Sequence, residues 1–255
     1  MMKWKTFVIG YALALALLLF AQHRPERQER PATFAHIVDL THEIGGDKST
    51  VSPATQSLVP QPTSALVHPL GSLSTSESFP TRLQAPARYI PGLWTVDQIP
   101  PERLFAPLTV IDVRSQARHN PDYQLSVADI ANWEQAHGHI PQGAVVIAHT
   151  GWASRWDAPR AYRNSDKRGA SHFPGFSLQA VQFLVQGRNV VGLGIDTAGV
   201  SNSPVRNYAF SHSVYQIENV TNLGRAPVSG GLVLVAPAKL RGSAQAPVRV
   251  LALAR

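Results

Sequence analysis

Cysteine is absent from all 255 residues. Disulfides, thiolate nucleophiles and thiolate metal sites are therefore excluded. Runs of Lys and Arg with interleaved aromatics are also missing. The net charge is +7 and the pI is near 10, but the basic residues are scattered along the chain, which argues against a nucleic-acid partner. A surface of this kind serves solubility or attracts anionic lipids and ligands. None of the ten histidines falls in an HxxxH or HExxH spacing, so the zinc-protease helix is not encoded. "GLGID", Gly192 to Asp196, lacks a third glycine and does not open a helix, so it is no dinucleotide fingerprint. No internal repeat is present.

What is present suits one globular domain with a sizeable core, since 44% of the residues are apolar. The N-terminus carries two lysines in "MMKWK", then an uncharged run of sixteen residues, Thr6 to Ala21, and then the polar "QHRPERQERP". A basic start, a short apolar core and a small residue at Ala21 predict a signal peptide over residues 1–21. The run falls short of the roughly 20 residues of a comfortable span, yet a membrane tether through residues 6–21 stays open as the alternative. Removing residues 1–21 leaves a charge of 21 − 16 = +5. Residues 22–33 read as a polar linker and 34–255 as the folded domain, so the protein is expected to be exported or membrane-anchored.

Within that domain, strand-like runs alternate with a few helical ones. Leu108 to Val113, Ala144 to Thr150 and Val190 to Asp196 read as buried strands. "VYQIENV", "GGLVLVAPAKL" and "APVRVLALA" add three more, and Ile37, Val38 and Leu40 suggest another. Ser126 to Gly138 and Ser177 to Gly187 read as helices, each with a serine to cap it and a glycine to end it. Ser49 to Ser78 is rich in Ser, Thr and Pro and is expected to be extended or looped. The pattern is a mixed α/β domain with a large sheet.

Candidate chemistry is thin. Glu218 lies in an apolar strand and must find a cation or hydrogen-bond donors. His172, before a Pro-Gly turn and a helix start, can face a pocket or simply pack the turn. His36, His42 and the His137–His139 pair read as structural or surface residues. The long polar loop after "TGW", Thr150 to Trp152, has a length that is often functional.

The sequence resembles the cyclase family of metal-dependent hydrolases, which includes bacterial kynurenine formamidases and isatin hydrolases. The resemblance is carried in family order by "VDLTHEI", "TRLQAPARY", "IPPERLFAPLTVIDV", "AVVIAHTGW", "HFPGFSLQAVQFLV", "VVGLGIDTAGVS", "YQIENVTNL" and "APVRVLAL". It implies a cyclase-family α/β fold, swivelling β/β/α-like, as a single domain with a large mixed sheet. It also implies hydrolysis of an amide, formamide or lactam C–N bond with zinc or manganese, in a homo-oligomer. The family signature resembles H-x-G-T-H-x-D-A-P-x-H-F. Aligned on Ala85 and Pro86, its ligand positions fall on Ser78, Arg82 and Gln84, and its proton-transfer histidine falls on Arg88. A further ligand histidine falls on Arg206, while the ligand glutamate is retained as Glu218. His68 cannot restore the motif, because position 72 is serine.

Arginine repels a cation and makes a poor base, and serine and glutamine are weak ligands. No resident metal is therefore expected. Two divalent ions with an Asp and a Glu would give +4 − 2 = +2, and Arg82, Arg88 and Arg206 with Glu218 give +3 − 1 = +2. If the arginines converge they can neutralise Glu218 and still offer forked donors to an anion. The sequence thus points to an exported, repurposed family member binding a small anionic ligand at Arg82, Gln84, Arg88, Arg206 and Glu218. The alternatives are an amide-type hydrolase with an altered metal site, and metal-independent chemistry with His172 or His212 as base beside an arginine such as Arg88.

Overall fold

A computed structural model describes residues 34–44, 80–200 and 202–254. The predicted signal peptide, the linker, the Ser49–Ser78 loop and Ser78 lie outside the described residues. The described residues all fall within one compact unit.

Ten strands are found among the described residues: β1 His36–Asp39, β2 Arg82–Gln84, β3 Phe105–Asp112, β4 Gln124–Leu125, β5 Val145–His149, β6 Gly175–Phe176, β7 Gly192–Ile195, β8 Tyr215–Glu218, β9 Gly231–Pro237 and β10 Gln245–Ala254. The helices are α1 Arg114–His119, α2 Val127–His137, α3 Pro159–Arg163, α4 Leu178–Gln182 and α5 Ser203–Ser211. Eight strands make a mixed sheet in the order β1-β10-β2-β8-β7-β5-β3-β9. β3, β5, β7 and β8 run parallel, and the remaining pairs are antiparallel. β10 is long enough to hold three partners. β2 and β1 follow one another along one edge, at Gln245–Pro247 and Leu251–Ala254, while β9 takes the other edge from Val248 to Leu253. The pairing of β9 with β10 closes the sheet into a barrel.

The two-residue alternation of strand side chains sorts the core into two clusters. Leu83, Leu108, Val110, Val145, Ile147, Tyr215, Ile217 and Val250 fill the barrel. Ile111, Val146, Ala148, Leu193 and Ile195 point outward and are covered by Ile130 and Trp133 of α2, Val181 of α4 and Val205 of α5. Both serine-capped helices form as read. The Ser126 side chain accepts from the Asp129 amide while Asp129 reaches back to the Ser126 amide, and Gly138 ends α2 at φ +84°. Ser177 caps α4, which continues as one π-helical turn to Gly187.

β2 was not legible as a strand, because three residues are too few to show a period. α1 and α3 are five or six residues long and each buries one residue, Ala117 and Tyr162, so neither shows a period in the sequence; α5, nine residues burying Val205, Ala209 and Phe210, spans only about two and a half turns.

Candidate functional site

β2 and β8 pair antiparallel with Arg82 opposite Glu218 and Gln84 opposite Gln216. Leu83 and Ile217 point into the barrel, so Arg82, Gln84 and Glu218 share its outer face. Glu218 is 1% exposed. Its Oε2 accepts from Arg82 Nε at 2.7 Å and Gln84 Nε2 at 2.9 Å, and Arg82 Nη2 lies 2.5 Å away. Arg82 Nη2 also donates to the Ala198 carbonyl at 3.0 Å. Glu218 Oε1 lies near Gly199, 3.8 Å from where a Cβ there would stand. The demand that an acid in an apolar strand find a cation and donors is thus met by Arg82 and Gln84.

Arg88 and Arg206 do not join that cluster. Their guanidinium carbons lie 6.0 and 5.1 Å from the centre of the Tyr89 ring, and Tyr89 stacks on Phe210 of α5. Arg206 Nη2 donates to Ser203, while its buried Nε has no partner among the described residues. The four residues expected to converge with Glu218 therefore divide into a closed ion pair with an amide, and a pair of arginines around an aromatic ring. The division follows from attachment: Arg82 and Gln84 sit on the strand paired with β8, whereas Arg88 and Arg206 sit beyond it on the following turn and on α5.

The residues around Glu218 do not fit a divalent metal. Arg82 Nε and Gln84 Nε2 direct hydrogens at the one carboxylate oxygen, and a guanidinium carries its charge where a cation would have to sit. Gln84 Oε1 is buried without a partner, but one amide oxygen is a weak ligand. Among the described residues no group of three or more His, Asp or Glu side chains is placed to hold a metal ion.

His172 is not near these arginines by any contact. Its Nδ1 bonds both Asp122 oxygens at 2.9 and 3.0 Å, and Asp166 lies 3.7 Å from Nε2. His212 bonds Ser211 and the Tyr208 carbonyl. Neither is placed as a base for chemistry at Glu218. The hydrogen bond and charge of Asp122 hold the His172 pKa above its ordinary value of 6.5. A raised folded-state pKa stabilises below the unfolded pKa and is lost as pH rises through the folded one. An NMR titration of His172 is expected to give a midpoint above 6.5 in the intact protein and a lower one in Asp122→Asn. His42 behaves oppositely. It stacks on Trp156 at 3.8 Å, and burial lowers its pKa to about 4. Its contribution therefore falls as pH drops from 6.5 toward 4, because the unfolded chain takes up the proton first.

A buried polar network joins this region to the strand ends. The Tyr162 hydroxyl donates to Asn219 Oδ1 at 2.6 Å, Asn219 Nδ2 donates to the Pro80 carbonyl, and Thr81 Oγ1 donates to the Asn219 carbonyl at 2.8 Å. Asn219 adopts φ +58°, a conformation its short amide tolerates. Asp196 accepts from both the amide and the hydroxyl of Thr150, at 3.0 and 2.6 Å. Burial raises the Asp196 pKa, and burial lowers that of its neighbour His149. Sequence reasoning missed this network; the aspartate in "GLGID" was its one visible trace.

The Cyclase family model matches residues 38–202. The isatin hydrolase of Roseibium aggregatum is 29% identical over 186 residues, covering 68% of this chain and 70% of that protein. The solved structure of isatin hydrolase A from Ralstonia solanacearum is 31% identical, with a TM-score of 0.69 over 86% of this chain and 92% of that one. Isatin hydrolase A from Labrenzia aggregata, solved with benzyl benzoate, is 29% identical, with a TM-score of 0.70 over 86% and 93% of the two chains.

Proposed function

The chain belongs to the cyclase family, and from that premise we propose that it is an exported, repurposed member that binds a small anion and does not hydrolyse through a family-type metal centre. The observation that carries this reading is the capped carboxylate. Glu218 Oε2 is occupied by Arg82 and Gln84 donors, which leaves no lone-pair cage where a Lewis acid would activate water. Arg82 is neutralised by Glu218. Arg206 lies over the Tyr89 ring, and its unpartnered Nε offers an N–H to an acceptor. A small carboxylate lying against that ring would meet the forked donor of Arg206, with Arg88 on the same ring. Export rests on the basic start and the apolar run of residues 6–21. Among the described residues no helix is long and apolar enough to cross a membrane.

The second reading, a hydrolase of an amide, formamide or lactam C–N bond with an altered metal site, is favoured by the isatin hydrolase likeness over most of the domain. Elemental analysis of purified protein separates the two. The anion-binding reading expects no stoichiometric zinc or manganese. It also expects a benzoate-dependent rise in Tm that disappears in the Arg88→Ala/Arg206→Ala variant. Stoichiometric metal together with turnover of isatin or N-formylkynurenine would replace it with the hydrolase.

A further inference from the structure

A second concave site lies at the C-terminal ends of β3, β5 and β7 and shares no residue with the Glu218 cluster. Because these strands are parallel, their ends open on one rim of the barrel, a common place for small-molecule sites. His149 continues the inward-facing series Val145 and Ile147, and Asp196 continues Gly192 and Gly194, so both are directed to the mouth. The cleft holds about 500 Å³ and is lined by Arg114, Arg118, His149, Thr150, Arg155 and Asp196, a volume within the small-ligand range.

Its polar groups are not all spent on one another. Asp196 is 1% exposed, its Oδ1 is engaged by Thr150, and its Oδ2 has no hydrogen-bond partner. A buried carboxylate oxygen left in this state lacks a donor. Arg114 is held by Asp112 in a forked pair and contributes little net charge. Arg118 makes no hydrogen bond or ion pair among the described residues. Arg155 is fixed 3.7 Å above the Trp152 ring, an arrangement that orders the side chain without neutralising it. The cleft therefore presents two uncompensated guanidinium groups and, deeper, one acceptor without a donor. Half-buried His149 lines the same wall.

We propose that this cleft binds a small carboxylate that also carries a hydroxyl or amino donor, its carboxylate on Arg118 and Arg155 and its donor on Asp196 Oδ2. Forked guanidinium donors match a carboxylate, and a carboxylate acceptor rewards a ligand O–H or N–H while an apolar isostere leaves it unpaired. The site is independent of the anion site around Tyr89.

Thermal-shift and calorimetric titrations with lactate, serine and propionate on the full chain test it. Lactate or serine is expected to raise Tm, and propionate, of similar size without the donor, to raise it less. Arg118→Ala lies on an exposed position and is expected to weaken lactate or serine binding by about tenfold. Asp196→Asn is expected to erase the preference over propionate. Titrating in the Arg88→Ala/Arg206→Ala background removes any contribution of the Tyr89 site, and the preference for lactate and serine over propionate is expected to persist there. No shift with either lactate or serine, or a shift that survives Arg118→Ala intact, overturns the proposal even if Asp196→Asn fails to fold.

Discussion

Arg82→Ala is expected to destabilise the protein by about 3–5 kcal/mol in urea unfolding, the usual result of leaving one member of a buried ion pair alone. The Glu218 side chain is 2% exposed and that of Arg82 12%. Removing the guanidinium takes the Nε hydrogen bond and the paired charge from Glu218 Oε2 and strips the Ala198 carbonyl of its donor. Gln84 would remain as a single neutral donor. Restoring water to the carboxylate would require opening the layer over β2 and β8. Glu218→Gln is the milder change, because its amide can still accept from Arg82. A charge-free pair, Arg82→Met with Glu218→Leu, is expected to recover much of the loss, since well-packed apolar pairs replace buried ion pairs at little cost. If Arg82→Ala unfolds at the same urea concentration as the parent, the ion pair is solvated and the account of the site is wrong.

Gly192→Ala is expected to cost about 3 kcal/mol, at the upper end of ordinary overpacking. A Cβ built at Gly192 would stand 2.4 Å from Tyr215 Cε2 and 2.7 Å from Cζ. The ring cannot swing aside cheaply, because Tyr215 is 1% exposed and its hydroxyl donates to the Arg103 carbonyl at 2.8 Å. Gly194→Ala should be milder. Its Cβ would meet Ile147 Cγ1 at 2.9 Å, and an aliphatic side chain yields more easily than a pinned ring. Adding Tyr215→Val to Gly192→Ala should return part of the stability by making room. Denaturant melts of the three variants check the order.

These glycines show how far the sequence could be read. "GLGID" could be rejected as a nucleotide motif from its spacing, but its actual purpose could not be seen. The glycines face inward beneath Tyr215 and Ile147, residues on neighbouring strands that only the sheet register brings alongside. The strands themselves were legible because their β-branched runs are buried on both faces, between the barrel interior and the helices. The helix ends were legible because Ser126, Gly138 and Ser177 are local signals. At the site, aligning the motif identified Arg82, Gln84 and Glu218 as a group, and the strand pairing brings them together. It also suggested that Arg88 and Arg206 would join them. That failed because a linear motif does not encode the turn after β2, nor the face of α5 that meets Tyr89. The rim cleft left almost no trace, since His149, Asp196 and Arg118 come from three separate strand–loop units.

β10 gives the barrel a particular order of assembly. Its ten residues hold β2 and β1 along one edge and β9 along the other, so the ring remains an open arc until 245–254 have left the ribosome. Until then, among the described residues, β1 has no strand to pair with, and β2 and β9 each keep an unfilled edge. A nascent chain halted before that point would display template edges for other chains.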